Sequence, residues 1–170
     1  MFKPLYNPTT LTCSITIGDW IPCAGVQKLI GFSKGLSFHR VPYFPYWHHS
    51  NNIRLGYNRD SWESPVRLFM YAYVNGKLID PKECVIGMFE VGAEIFTNLE
   101  ITETDYYASV VQKQKAVKWK QIKFDSPRAT LPIGYLLGNY AELDGPENEQ
   151  IAFKVDIKDL KVNGKNVKIK

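Results

Sequence analysis

The chain reads as an all-β protein, a two-sheet antiparallel sandwich of jelly-roll type with about eleven strands. Three observations predict this. Apolar and polar residues alternate with a period of two, as where Leu11, Cys13, Ile15 and Ile17 oppose Thr12, Ser14 and Thr16. Gly, Pro and Asn-Gly punctuate short runs of this kind, and no window sustains a capped helical period. Aromatic residues make up 14% of the chain, and they favour strands.

Leu11–Ile17 is the first expected strand, and Gly18–Gly25, carrying Pro22, is a loop. Leu29–His39 is a second strand region in which Gly31 and Gly35 mark bulges. Val41–Trp47 holds two prolines and four aromatics in seven residues. Proline bars it from a central strand, so it is expected to be an aromatic insertion lying over a sheet face. Its Tyr43, Phe44, Tyr46 and Trp47 are candidate partner contacts.

Asn52–Tyr57 is the next strand, with Ile53, Leu55 and Tyr57 on one face and Asn52, Arg54 and Gly56 on the other. Arg67–Ile79 is a hairpin. Asn75-Gly76 sits between its two apolar runs, and a two-residue type I′ turn needs positive φ at both central positions. In the first arm Leu68, Met70, Ala72 and Val74 share one face, and Phe69, Tyr71 and Tyr73 the other. With both faces apolar, this arm is either a central strand covered twice or a strand displaying an aromatic platform.

Val85–Val91, Glu94–Ile101, Tyr106–Val111 and Ala116–Phe124 continue the pattern, the last after a lysine-rich turn. Pro127 and Pro132 bracket a loop, Ile133–Tyr140 is a strand, and Glu142–Glu149 is an acidic loop. Ile151–Asp156 pairs again, and Asn163-Gly164 predicts a closing hairpin to Asn166–Ile169. The 170 residues are expected to form a single domain, with an aromatic insertion at 41–47 and a basic C-terminal hairpin at 151–170.

No apolar run is long enough for a transmembrane helix, and no secretory signal is expected at the N-terminus. Cys13, Cys23 and Cys84 share no CxxC spacing, which points to free thiols and synthesis in a reducing cytoplasm. Residues 151–170 carry six lysines against two aspartates and so hold the whole net charge of +4. That placement suits a lysine-protected edge strand better than a nucleic-acid footprint, and Lys165 and Lys168 become candidate partner contacts.

The three histidines, His39, His48 and His49, offer no ligand spacing, because adjacent residues on a strand point to opposite faces. Gly31–Gly35 spells GxSxG, but no helical period follows it to form a nucleophile elbow, and neither Ser33 nor Ser37 has a flanking signature for a base. With no HExxH motif or facing carboxylate pair either, no catalytic residue, metal or cofactor is assigned. The sharper candidate is a binding face of Asn52, Arg54, Phe69, Tyr71 and Tyr73, where rings beside planar hydrogen-bonding groups suit a sugar or a protein loop. If that face is buried instead, Arg54 is an internal strut.

The segments Leu29–Gly35, HHSNNIRLGY (His48–Tyr57) and Tyr73–Lys77 resemble a family of small uncharacterised β-sandwich proteins of gut anaerobes and their crAss-like tailed phages. That family's pattern is G-x-S-x-G, then HHKNSVRFGW, then a Y-V-N-G hairpin. His48, His49, Asn51, Arg54 and Gly56 match it residue by residue, while the 41–47 insertion and Tyr57 depart from it. The resemblance implies a non-enzymatic virion component of the capsid, portal or tail, in contact with other virion proteins or with copies of itself. In that reading His48, His49, Asn51 and Gly56 form a structural motif. The alternative is a carbohydrate-binding module for a host-surface glycan using an aromatic sheet face, and a carbohydrate-active enzyme ranks last. Neither membrane nor nucleic acid is an expected partner.

Overall fold

A computed structural model of the chain describes residues 2–18, 23–34, 51–61, 63–113, 115–123, 133–138 and 155–168. Among these, thirteen strands occur in chain order. They are β1 (Phe2–Tyr6), β2 (Thr10–Ile17), β3 (Cys23–Ser33), β4 (Asn52–Arg59), β5 (Val66–Val74), β6 (Lys77–Leu78) and β7 (Val85–Phe89). There follow β8 (Glu94–Ile101), β9 (Asp105–Gln112), β10 (Lys118–Lys123), β11 (Ile133–Leu137), β12 (Val155–Val162) and β13 (Lys165–Asn166).

The first sheet runs β1-β11-β3-β4-β5-β6, with β7 also pairing β5, and the second runs β10-β9-β8-β2-β12-β13. All pairings are antiparallel, and the expected two-sheet sandwich is what forms. Alternation decides what each strand contributes. Leu11, Cys13, Ile15 and Ile17 of β2 and Ile95, Leu99 and Ile101 of β8 face Ile53, Leu55 and Tyr57 of β4 and Leu68, Met70 and Ala72 of β5 in one core. Each fully buried side chain of this size is worth about 1.5–3 kcal/mol, so the register that buries all of them is strongly selected.

Asn75 and Gly76 have φ of 50° and 82°, and Asn163 and Gly164 have φ of 49° and 73°, so both Asn-Gly pairs make the turns their sequence calls for. A register shift between Lys28 and Gly31 supplies the bulge expected there. Other boundaries moved. β1 lies ahead of the first expected strand and pairs β11 at the sheet edge, the position at which a strand accepts its Pro4. β3 starts at Cys23, inside the expected loop. The first arm of the closing hairpin is Val155–Val162, later than Ile151–Asp156. Its register slips at Asp159, which has a φ of 52°. The insertion at 41–47, with Tyr43, Phe44, Tyr46 and Trp47, lies outside the described residues, as do His48, His49 and the acidic loop.

Two contacts add support away from the core, one at the β1–β2 connection and one between the sheets. Asn163 accepts hydrogen bonds at Oδ1 from the Thr9 and Thr10 backbone nitrogens (2.9 and 3.2 Å) and donates from Nδ2 to the Asn7 carbonyl (3.0 Å). At another margin Lys118 of β10 donates to the Met88 carbonyl (3.1 Å), with Nζ 4.8 Å from the centre of the Phe89 ring of β7.

Candidate functional site

The face singled out from the sequence does assemble. Antiparallel register sets Asn52 opposite Tyr73, Arg54 opposite Tyr71 and Gly56 opposite Phe69. It is not open, however. Arg54 is 8% exposed and Tyr71 7%, and Asn52 and Phe69 are buried as well. β5 is therefore the strand covered on both sides, not a displayed platform.

Arg54 is a strut. It donates from Nη2 to the carbonyl of Gly138, just past the end of β11. One strand, β3, lies between: its Gly31 pairs Arg54 on one side and Leu137 of β11 on the other. A Cβ at Gly31 would collide with the Ile53 carbonyl and the Arg54 backbone, and would fall 2.7 Å from Arg54 Cγ, so both the close approach of β4 and the path of the arginine need the absent side chain. Burial lowers the Arg54 pKa to about 10, and Tyr71 across the ladder offsets part of that. Lys28 Nζ stands 4.8 Å over the Tyr71 ring, and Tyr71 and Tyr73 meet edge to face at 5.9 Å. Buried Phe69 and Tyr71 are not available to stack on a sugar, and Tyr73 is only partly exposed.

Two members of the expected structural motif have visible work. Asn51 Oδ1 accepts from the Asn75 backbone nitrogen (2.8 Å) and from the Tyr106 hydroxyl (3.3 Å) of the opposite sheet. Gly56 leaves the space that the Phe69 ring occupies. Lys165 and Lys168 are exposed in and beyond the closing hairpin.

Among the described residues Tyr6 at the edge of the first sheet is exposed by itself, while a cluster of exposed apolar side chains lies on the other sheet, on residues expected in strands but not expected to form a site. Trp119 is 58% exposed, Val117 55% and Phe96 47%. Tyr107, partly exposed, stacks on Trp119 with ring centres 6.1 Å apart and planes 27° from parallel. Hydrogen-bonding side chains surround the pair. Trp119 pairs Ser109, Ser109 pairs Asn98, and Asn98 pairs Thr12, which makes a row across β10, β9, β8 and β2. Gln121 donates to Asp105 Oδ1 at 2.8 Å, and hydrogen bonds from Thr104 and Gln121 hold that carboxyl below its usual range. The clue in the sequence is the period-two set Trp119, Gln121, Lys123 read against Asp105, Tyr107, Ser109. Local alternation defines such a set but not which side of the sheet stays uncovered.

Among the described residues no group of three or more His, Cys, Asp or Glu comes together in a way that could hold a metal ion. The arrangement is suited to holding a ligand by ring stacking and hydrogen bonding.

No family model and no curated protein matches the chain. Solved structures do. An alginate lyase from Klebsiella pneumoniae aligns with a TM-score of 0.59 at 11% identity, over 91% of this chain and 59% of that one. Scytalido-glutamic peptidase aligns at 0.56 and 9%, over 98% of this chain and 80% of its own. The PL-14 alginate lyase from Aplysia kurodai aligns at 0.54 and 12%, over 92% and 69%. At these identities the likeness is one of fold, and the chain spans under two thirds of the Klebsiella lyase. The expectation of a phage-virion component is corrected here, because the sandwich resembles alginate lyases and a glutamic peptidase. Since those proteins include enzymes, the expectation of a non-enzymatic chain gains no support from them.

Proposed function

We propose that the chain is a carbohydrate-binding β-sandwich and that it takes its glycan on the outward face of the second sheet, over Trp119 and Tyr107. One observation carries this reading: an exposed Trp119 ring and a partly exposed Tyr107 ring stack beside a row of neutral hydrogen-bonding side chains. A sugar ring has an apolar C–H face and a hydroxyl edge, and this surface offers a partner for each. A Trp exposed beside Phe96 and Val117 is costly to leave wet, which marks the patch as a contact surface. The fold is shared with proteins that act on alginate, so carbohydrate recognition has precedent on this architecture. The role asks for no bond-making chemistry.

The test is a glycan array followed by titration calorimetry. Binding is expected to be saturable, and to be lost in Trp119→Ala and weakened roughly tenfold in Tyr107→Ala, both with unchanged circular dichroism. A flat array, or full-strength binding by Trp119→Ala, overturns the reading.

A further inference from the structure

We infer that the ligand is an extended anionic glycan lying across the strands, with its acidic substituents meeting Lys158 and Lys161. This rests on the platform reading above and adds the ligand's length, direction and charge.

The row that begins at Trp119, Ser109, Asn98 and Thr12 continues to Lys161 of β12 and then Asn166 of β13. It crosses all six strands of the second sheet. Strands lie about 4.8 Å apart, so the row extends on the order of 24 Å, the reach of several linked sugar rings. Its neighbour runs from Val111 through Phe96 and Ser14 to Lys158. Every side chain in the two rows is at least partly exposed.

Charge gives the track its sign and its borders. Neither row contains an acid, and each carries a lysine on β12. The flanking rows do contain acids. Thr16 stands between Glu94 and Asp156 on one side, and Glu100 lies between Thr10 and Tyr107 on the other. A negatively charged chain is therefore attracted along the two central rows and repelled from sliding off either side. Carboxylated and sulfated sugars share this chemistry.

The experiment titrates the intact chain with galacturonate oligomers of two to six units, the matching neutral galactose oligomers, and dextran sulfate. Affinity is expected to climb up to at least tetramers, to favour the acidic series and to fall with added salt. Lys158→Gln with Lys161→Gln is expected to weaken acidic ligands roughly three- to tenfold and leave neutral ones unchanged, since exposed charge pairs are individually modest. A response to dextran sulfate alone assigns the anion as sulfate, and one to galacturonate assigns it as carboxylate. Equal affinity for neutral and acidic oligomers, no loss in the double variant, or saturation at the disaccharide overturns the inference. Each of those results leaves the Trp119 platform standing. Loss of all binding in Trp119→Ala supports the platform, and absence of binding in the unmodified chain removes both.

Discussion

The Tyr106 hydroxyl of the second sheet donates to Asn51 Oδ1 at the start of β4 in the first, at 3.3 Å and away from water. The same oxygen holds the backbone nitrogen of Asn75 at 2.8 Å, so one side chain fixes both the sheet-to-sheet contact and the β5–β6 turn. Tyr106→Phe removes one of these bonds and is expected to cost about 1 kcal/mol, while Asn51→Ala removes both and costs about 2 kcal/mol. Urea denaturation of the two variants checks this. An Asn51→Ala no worse than Tyr106→Phe would show that the turn does not depend on the asparagine.

Arg54→Ala is expected to destabilise by about 2–4 kcal/mol, through a lost charged hydrogen bond and an unfilled volume beside Tyr71. Glycan affinity at the second sheet should be unchanged in the folded variant. Gly31→Ala should be at least as damaging, because the new methyl group meets the Ile53 carbonyl and the Arg54 backbone before it meets the arginine side chain. A full-length Arg54→Ala protein that melts normally but binds no glycan would return the binding site to the first sheet.

Burial pushes the Cys13 thiol up to about 12 and the Cys84 thiol up to about 11, from an ordinary 9.0, with Lys120 pulling Cys84 part of the way back. A thiol raised in the folded state holds its proton while the unfolded chain has lost it. The stability this contributes is complete below pH 9 and is lost between about 9 and 12. Tyr106, whose pKa burial also raises, acts in the same direction. Stability measured at pH 8, 9.5 and 10.5 should therefore decline, and the decline should be shallower in Cys13→Ala. Both thiols should resist a thiol reagent until the chain is unfolded.

Asn163 has two properties that substitution can separate: a positive φ of 49° and a side chain that binds residues 7–10. Asn163→Gly keeps the first and loses the second, whereas Asn163→Ala loses both. Expected costs are about 1–2 kcal/mol for Gly and roughly 1 kcal/mol more for Ala. Thermal melts of the pair decide, and equal melting temperatures would mean that backbone strain contributes nothing there.

What could be read from the sequence was what neighbouring residues determine. The Asn75-Gly76 and Asn163-Gly164 turns follow from the conformations those dipeptides accept, and the hairpin then places Tyr71 on β5 beside the strand that carries Arg54. The burial of that face was not local information. It depends on what lies over the sheet, and alternation is identical for a covered and an uncovered side. For the same reason Trp119 and Tyr107 passed as ordinary strand residues. Asp159 hid the true extent of β12, because one residue in left-handed conformation breaks the two-residue rhythm.

The placement of β11 between β1 and β3 governs how the chain can be made. Among the described residues β1 pairs β11 alone, more than a hundred residues downstream, and β2 likewise waits for β12 on one of its edges. A nascent polypeptide emerging from the ribosome thus carries two unfinished edges until nearly all of it has been translated. Such long-separated pairings slow folding and leave β1 and β2 open to foreign strands meanwhile. Shortening the chain before residue 133 should accordingly yield aggregates instead of a smaller soluble domain.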